Sequence, residues 1–375
     1  MKDLKNNTQG SDVLNSTQTA ISLIIIMISS KLCYLPSVIA KANGESSLIS
    51  VCILVALDLL TAFFAIKISR HGGLQSHSIP SPVRKTVAVL LGLLFGFKFC
   101  AFCYEISSAT SSSLFDSSVV LPLFVLVTAC VVYVGAKGFT GIMRVGALTF
   151  WICVLLLLFN FFFVGLDGDK FNLFPIGRRN VFDGILGAGI WFGDTAVLAL
   201  TDTSRSKGDK KGNLLIIGSA IFSAVIIVGF YLLMIYTYGS AVKNVGSAFS
   251  RVLLMNKNSL ELGAVDWPLM TVWLIMSFLH SSILFSAFRQ CFNELVAPRR
   301  EKSFRWISVL FYILAPVLSF LLYYFLFKDP TTYTEVLTTK WVSISALCIE
   351  YALPALVFLI LILKKKEKSE NENER

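Results

Sequence analysis

Ser29-Ser30-Lys31-Leu32-Cys33-Tyr34-Leu35-Pro36 interrupts the first long apolar run of the chain, and Gly184, Gly187, Gly189 and Gly193, followed by Asp194, interrupt the sixth. Consecutive hydroxyls, a lysine and a proline stand where an uninterrupted membrane helix keeps apolar side chains. Unwound backbone exposes N–H and C=O groups that lipid cannot satisfy, so it must face protein, water or a ligand. Breaks at matching positions of two halves point to an inverted-repeat transporter that holds its substrate near the membrane midplane. Glycine and proline also serve membrane helices as kinks and close-packing positions. The pairing of two breaks, each at the head of five runs, favours a binding site.

Outward from the breaks, apolar runs recur at 18–40, 47–66, 86–107, 118–136, 145–165, 181–200, 213–238, 267–290, 306–327 and 341–363. The 375 residues are 55% hydrophobic and 15% charged, with a mean hydropathy of +0.72. An ordinary soluble enzyme carries about a quarter charged residues, and 31 Phe with 11 Tyr are too much apolar surface for a disordered chain. Ten spans of about 20 residues use about 200 positions and leave short connections. The expected fold is therefore an all-α membrane protein of about ten transmembrane helices in a 5+5 inverted repeat, with the first and sixth broken. Residues 1–17 form an N-terminal tail, 18–363 a single transmembrane domain (repeat one 18–165, repeat two 181–363), and 364–375 a charged tail.

The net charge of +10 is scattered between the runs, so it defines no basic nucleic-acid face. It sorts by topology instead. With the N-terminus inside, 22 Lys and Arg fall on cytoplasmic segments and nine outside, which favours an even number of spans and two cytoplasmic termini. Ala40-Lys41-Ala42 imitates a signal cleavage site, but the run before it is longer than a usual signal core and is broken by Lys31 and Pro36. The first span is expected to be retained. The eight cysteines lie in or beside apolar runs, which suits packed helices better than a disulfide scaffold. Cys100 and Cys103 form a CxxC without a second pair or a nearby histidine, so no metal and no cofactor is expected. No nucleophile elbow, Walker loop or His/Cys metal spacing marks an enzyme. In 239–266, Val242, Val245, Phe249, Val252 and Leu253 recur at helical spacing, an amphipathic helix on the outer face.

An ionisable side chain within a span is a functional candidate by default. Lys98 and Glu105 share the third span seven residues apart, about two turns along one face. Lys31 lies in the first break, where its ammonium could replace a coupling cation or bind a carboxylate. Asp194 could bind an amine or a proton, or cap the half-helix that follows. Asp58, His280 and Glu350 sit near the middle of their spans, and His280 could relay protons. The expected substrate set is Ser29, Ser30, Lys31, Cys33 and Tyr34 of the first break with Gly187, Gly189, Trp191, Gly193 and Asp194 of the second. Ion or proton coupling is expected at Lys31, Lys98, Glu105, Asp194 and His280. A ligand carboxylate would meet N–H groups of the first break and Lys31, and its amine the carbonyls of the second break and Asp194.

The broken first span ending in Leu35-Pro36, Glu105 after a Gly-rich start to the third span, Phe171-Asn172-Leu173-Phe174-Pro175, Phe192-Gly193-Asp194 and Asp266 through Trp273 occur in a recognisable order. In these the chain resembles the B-subunit permeases of spore germinant receptors, the GerAB type of the amino acid–polyamine–organocation transporter superfamily. The resemblance covers about residues 15–363. It implies a ten-helix fold in the spore inner membrane, assembled with an A-type membrane subunit and a C-type lipoprotein. It implies binding of an amino acid or similar nutrient that starts germination; a proton-coupled amino acid transporter is the alternative. Two positions depart from the family pattern: Ser30-Lys31-Leu32-Cys33 replaces a small Gly-containing break, and Asp194 stands where relatives often carry Glu.

Overall fold

The computed structural model describes residues 13–74, 76, 79–114, 119–164, 181–204, 209–245, 266–296, 301–327 and 330–373. Among them the chain is helical throughout, with one isolated bridge between Val13 and Asp202. Asn15 starts α1 (Ser16–Ile28) through a reciprocal cap: its side chain accepts from the Gln18 N–H at 2.7 Å, while its own N–H donates to the Gln18 side chain at 3.1 Å. A 3-10 turn at Ser29–Lys31 ends that helix. The chain restarts as α2 (Leu35–Asn43), where Pro36 falls in the first turn and its missing N–H costs nothing. The two segments are bent by 55°.

After α3 (Ser47–Ser69), α4 (Ser81–Leu114), α5 (Val120–Gly135) and α6 (Gly138–Val164), the second interruption follows the same plan. Helix α7 (Val181–Ala188) passes into a 3-10 turn at Gly189–Trp191, then Gly193 at φ 84°, then a 3-10 helix over Asp194–Leu200. These halves are bent by 44°. The chain continues through α8 (Lys210–Tyr238), α9 (Asp266–Val296), α10 (Glu301–Leu326), the short α11 (Pro330–Thr338), and α12 (Lys340–Leu347) joined to α13 (Leu353–Asn373) by a π turn at Cys348–Ala352.

Seven helices among the described residues are long and apolar enough to cross a membrane, and nine if each bent pair is one span. The 16-residue α5 is shorter than the roughly 20 residues a bilayer asks for. The ten expected runs each hold helix, but ten membrane crossings are more than length and composition establish. The third run is longer than expected, reaching Ser81–Leu114. Of the amphipathic segment expected at 239–266, a 3-10 turn at Gly239–Asn244 is present and 246–265 lie outside the described residues, as does Phe171–Pro175.

Helices α4 and α9 form the buried centre. A Cβ added at Gly92 would lie 3.1 Å from Cys291, and one at Gly96 3.2 Å from the Phe288 ring, so glycine lets these two helices approach closely. Leu148, Trp151 and Phe325 point outward from α6 and α10, an apolar exterior suited to lipid. At one end of the molecule main-chain bonds tie three segments: Leu14 N–H donates to Asp202 O (2.9 Å), Leu74 N–H to Ala199 O (2.8 Å) and Thr203 N–H to Ser69 O (3.1 Å).

Candidate functional site

Both breaks free backbone groups, and buried side chains from neighbouring helices meet them. In the first, the Ser29 carbonyl accepts from Trp273 Nε1 of α9 at 3.2 Å. In the second, the Phe192 carbonyl accepts from Lys98 Nζ of α4 at 3.0 Å, and the Gly193 N–H donates to Asp58 Oδ1 of α3 at 3.2 Å. The polar residues of α3, α4 and α9 thereby replace the missing helical partners, which makes unwound backbone tolerable at this depth.

The ionisable residues converge on this region. Lys31 Nζ lies 3.1 Å from Asp58 Oδ2 and 4.9 Å from the centre of the Phe192 ring. Asp58 Oδ1 also accepts from the Thr195 hydroxyl at 3.0 Å, so this one carboxylate anchors the first break to the second. Lys98 Nζ donates to Asp194 Oδ1 and Glu350 Oε1, each at 2.6 Å. Asp194 Oδ2 lies 3.3 Å from His280 Nε2, and His280 Nδ1 is 2.8 Å from the Ser29 hydroxyl. A line of polar contacts thus runs from the π turn of α12–α13 through α4 and the second break to α9 and the first break. The six ionisable side chains are buried, as are Ser29 and Thr195.

These contacts show where the expected residues stand. Lys98 does not meet Glu105; its ammonium faces Asp194 and Glu350. Glu105 Oε2 accepts instead from Tyr333 OH (3.1 Å) and Trp191 Nε1 (3.4 Å). Asp194 is not the cap: it is the first residue of the 3-10 helix, whose N-cap is Gly193, and its carboxylate meets Lys98 and lies beside His280. His280, Asp58 and Glu350, read from sequence as single polar residues in three different spans, belong to this one cluster. The ammonium of Lys31 is engaged by Asp58, which leaves it poorly placed to serve as the carboxylate receptor of a ligand.

Between the first break, α4 and α9 lies a cavity of about 10 Å³ lined by Ser30, Phe102, Glu105, Ile106, Trp273, Ser277 and His280. Ser30 Oγ and Ser277 Oγ have no hydrogen-bond partner among the described residues. Of the other residues expected to bind substrate, Tyr34 donates its hydroxyl to Ser108 at 3.3 Å and Cys33 is buried nearby. Gly187 and Gly189 face Ala42 and Leu347 rather than the cavity. Sequence reading missed Trp273, Ser277 and Tyr333. Trp273 was visible as part of a family pattern, but a serine in an apolar run and a tyrosine in a nine-residue helix carried no signal of their own.

Two bent spans enclosing a buried polar cluster, on an otherwise apolar helical body, define a LeuT-like membrane fold. Comparison with solved structures supports that fold. The manganese transporter of Eremococcus coleocola, in complex with an aromatic bis-isothiourea substituted compound, is similar at a TM-score of 0.53 and 14% identity over 93% of this chain and 84% of that one. A mutant of that transporter is similar at 0.53 and 13%, over the same shares of the two chains. The chain belongs to the spore germination protein family, whose members match it over residues 13–304. Comparison with curated proteins found no match.

Proposed function

We propose that the chain is a permease-like subunit of a spore germinant receptor and binds an amino acid or similar small nutrient beside the two breaks. One observation carries this reading: the buried hydroxyls of Ser30 and Ser277, both unpartnered among the described residues, line one cavity with the carboxyl group of Glu105. Buried polar side chains are ordinarily partnered, so an arrangement of this kind suits a small zwitterion. Its amine would meet Glu105 and its carboxylate the hydroxyls and exposed N–H groups of the first break. A volume of about 10 Å³ admits one water, so the form described is closed and a nutrient enters as the breaks separate.

In this reading the partners are an A-type membrane subunit and a C-type lipoprotein, the membrane is the spore inner membrane, and both termini are cytoplasmic. The chain binds its ligand without chemical turnover and uses no cofactor. The test is binding of isotope-labelled amino acids to the purified full chain, with thermal shift as a second readout. Saturable binding is expected, weakened about tenfold in Ser277→Ala, the scale of one hydrogen bond lost to a charged group. No binding by any amino acid, sugar or nucleoside overturns the proposal.

Lys31→Met is expected to weaken acidic and neutral ligands alike, because it frees Asp58 from the first break rather than removing a charge that faces the ligand. A loss confined to acidic ligands in the same assay would return Lys31 to the role of carboxylate receptor. The cluster of buried ionisable groups favours a second reading, a proton-coupled amino acid transporter. Uptake into proteoliposomes under an imposed pH gradient separates the two: flux supports transport, and binding without flux supports sensing.

A further inference from the structure

The buried cluster does not balance. Lys31 and Asp58 form one neutral pair, with the remaining Asp58 oxygen held by the Gly193 N–H and the Thr195 hydroxyl. Lys98 faces two carboxylates, Asp194 and Glu350, and its three bonds are taken by Asp194 Oδ1, Glu350 Oε1 and Phe192 O. Two ammonium groups against three carboxylates leave a surplus of one negative charge among side chains that are buried. An uncompensated buried charge costs several kcal/mol, so something must neutralise it.

Three groups could carry the neutralising proton. Asp194 uses Oδ1 on Lys98 and turns Oδ2 toward His280. His280 has one aligned contact: Nδ1 meets the Ser29 hydroxyl, while Nε2, 3.3 Å from Asp194, has no hydrogen-bond partner among the described residues. A charged imidazolium would want two well-aligned acceptors. Asp194 Oδ2 and Glu350 Oε2 both lack a hydrogen-bond partner among the described residues, but Asp194 Oδ2 has the His280 ring 3.3 Å away, whereas among the described residues Glu350 has no ion-pair partner besides the Lys98 it shares with Asp194. A bare carboxylate oxygen would be costly there, and a protonated one much less so. Around Oε2 the backbone is cleared by glycine: a Cβ added to Gly193 would lie 2.6 Å from that oxygen. The π turn at Cys348–Ala352 is the local distortion that carries Glu350 at this depth.

We propose that Glu350 is a proton-binding site, holding one exchangeable proton on Oε2 in the closed form and linking its release to opening of the second break. The link is electrostatic. Ionisation puts a full negative charge against the Gly193 turn, beside Asp194 and within reach of the Asp58 field, and only Lys98 is close enough to offset it. Water entering between Gly189 and Asp194 would relieve that charge, so proton loss and hydration of the break favour one another. Glu105 stands apart, held by Tyr333 and Trp191, and is the other carboxyl whose signal must be distinguished. The inference rests on the reading of the breaks as a moving site, but its test uses no nutrient, so either can fail without the other.

The experiment is infrared spectroscopy of the purified full chain in lipid nanodiscs, titrated by pH. The expected result is a protonated-carboxyl band at the weakly hydrogen-bonded end of its range, present at neutral pH, absent in Glu350→Gln and retained in Glu105→Gln. Hydrogen exchange over residues 189–196 should rise with pH beyond the intrinsic rate, and lose that extra slope in Glu350→Gln. Because an amide mimics a neutral carboxyl group in shape, Glu350→Gln should still fold; Asp194→Asn, which removes the surplus charge by another route, should also abolish the band. A band unchanged in Glu350→Gln, a doubly protonated His280 by nitrogen NMR, or a sodium- or potassium-dependent thermal shift that requires Glu350 would each overturn the proposal.

Discussion

Lys98→Met should cost about 3–5 kcal/mol of stability, the range seen when one partner of a buried ion pair is removed. The ammonium is fully buried and bonds Asp194, Glu350 and the Phe192 carbonyl at once. Methionine fills much of the same volume but offers no donor, so two carboxyl groups that both lie 2.6 Å from one nitrogen would be left beside each other. The second break would also lose the partner of a freed backbone carbonyl. Unfolding of the purified variant in graded denaturing detergent measures the loss. A shift below about 1 kcal/mol would mean that water or a rearranged neighbour replaces the lysine, and the cluster would then not be the element that holds the breaks closed.

Gly193→Ala is the second large effect, expected at about 2–6 kcal/mol. Two costs add. The backbone sits at φ 84°, a region where a residue with a Cβ is strained by about 1–3 kcal/mol. The new methyl would also lie 2.6 Å from Glu350 Cβ and Oε2, an overpacking that typically costs 1–3 kcal/mol. Gly72→Ala tests positive φ without overpacking, because Gly72 has φ 94° and its Cβ would lie 3.7 Å from Ser76, an ordinary contact distance. That variant should lose about 1–3 kcal/mol. Equal losses in the two variants, measured in the same unfolding assay, would show that contact with Glu350 contributes nothing.

Reading the fold from sequence worked where chemistry is local. Pro36 and the glycines of 184–193 mark the ends of half-helices because a missing N–H or a missing Cβ acts within one turn, and those marks gave both breaks at their correct places. The site was legible as a set of residues but not as a set of pairs. Lys98 and Glu105 share a helix, which suggested a common face, yet Lys98 finds its partners 96 and 252 positions away. Nothing in a single sequence carries that pairing; it depends on how α3, α4, α9 and the π turn meet in space. Glu350 was visible as a charge out of place in a span, but the turn that carries it has no strong local signature. Ser277 illustrates the opposite difficulty, since small hydroxyl residues are common wherever membrane helices pack closely.

The three main-chain bonds that join Leu14 to Asp202, Leu74 to Ala199 and Ser69 to Thr203 are ties written in the backbone. Side-chain replacement at these six positions leaves every one of their donors and acceptors in place, except where proline removes an N–H. The cavity, by contrast, is made of side chains that single substitutions can recast. The lining of the cavity can therefore drift while the ties between three segments of the chain stay constant, so the two are separately heritable properties of one chain.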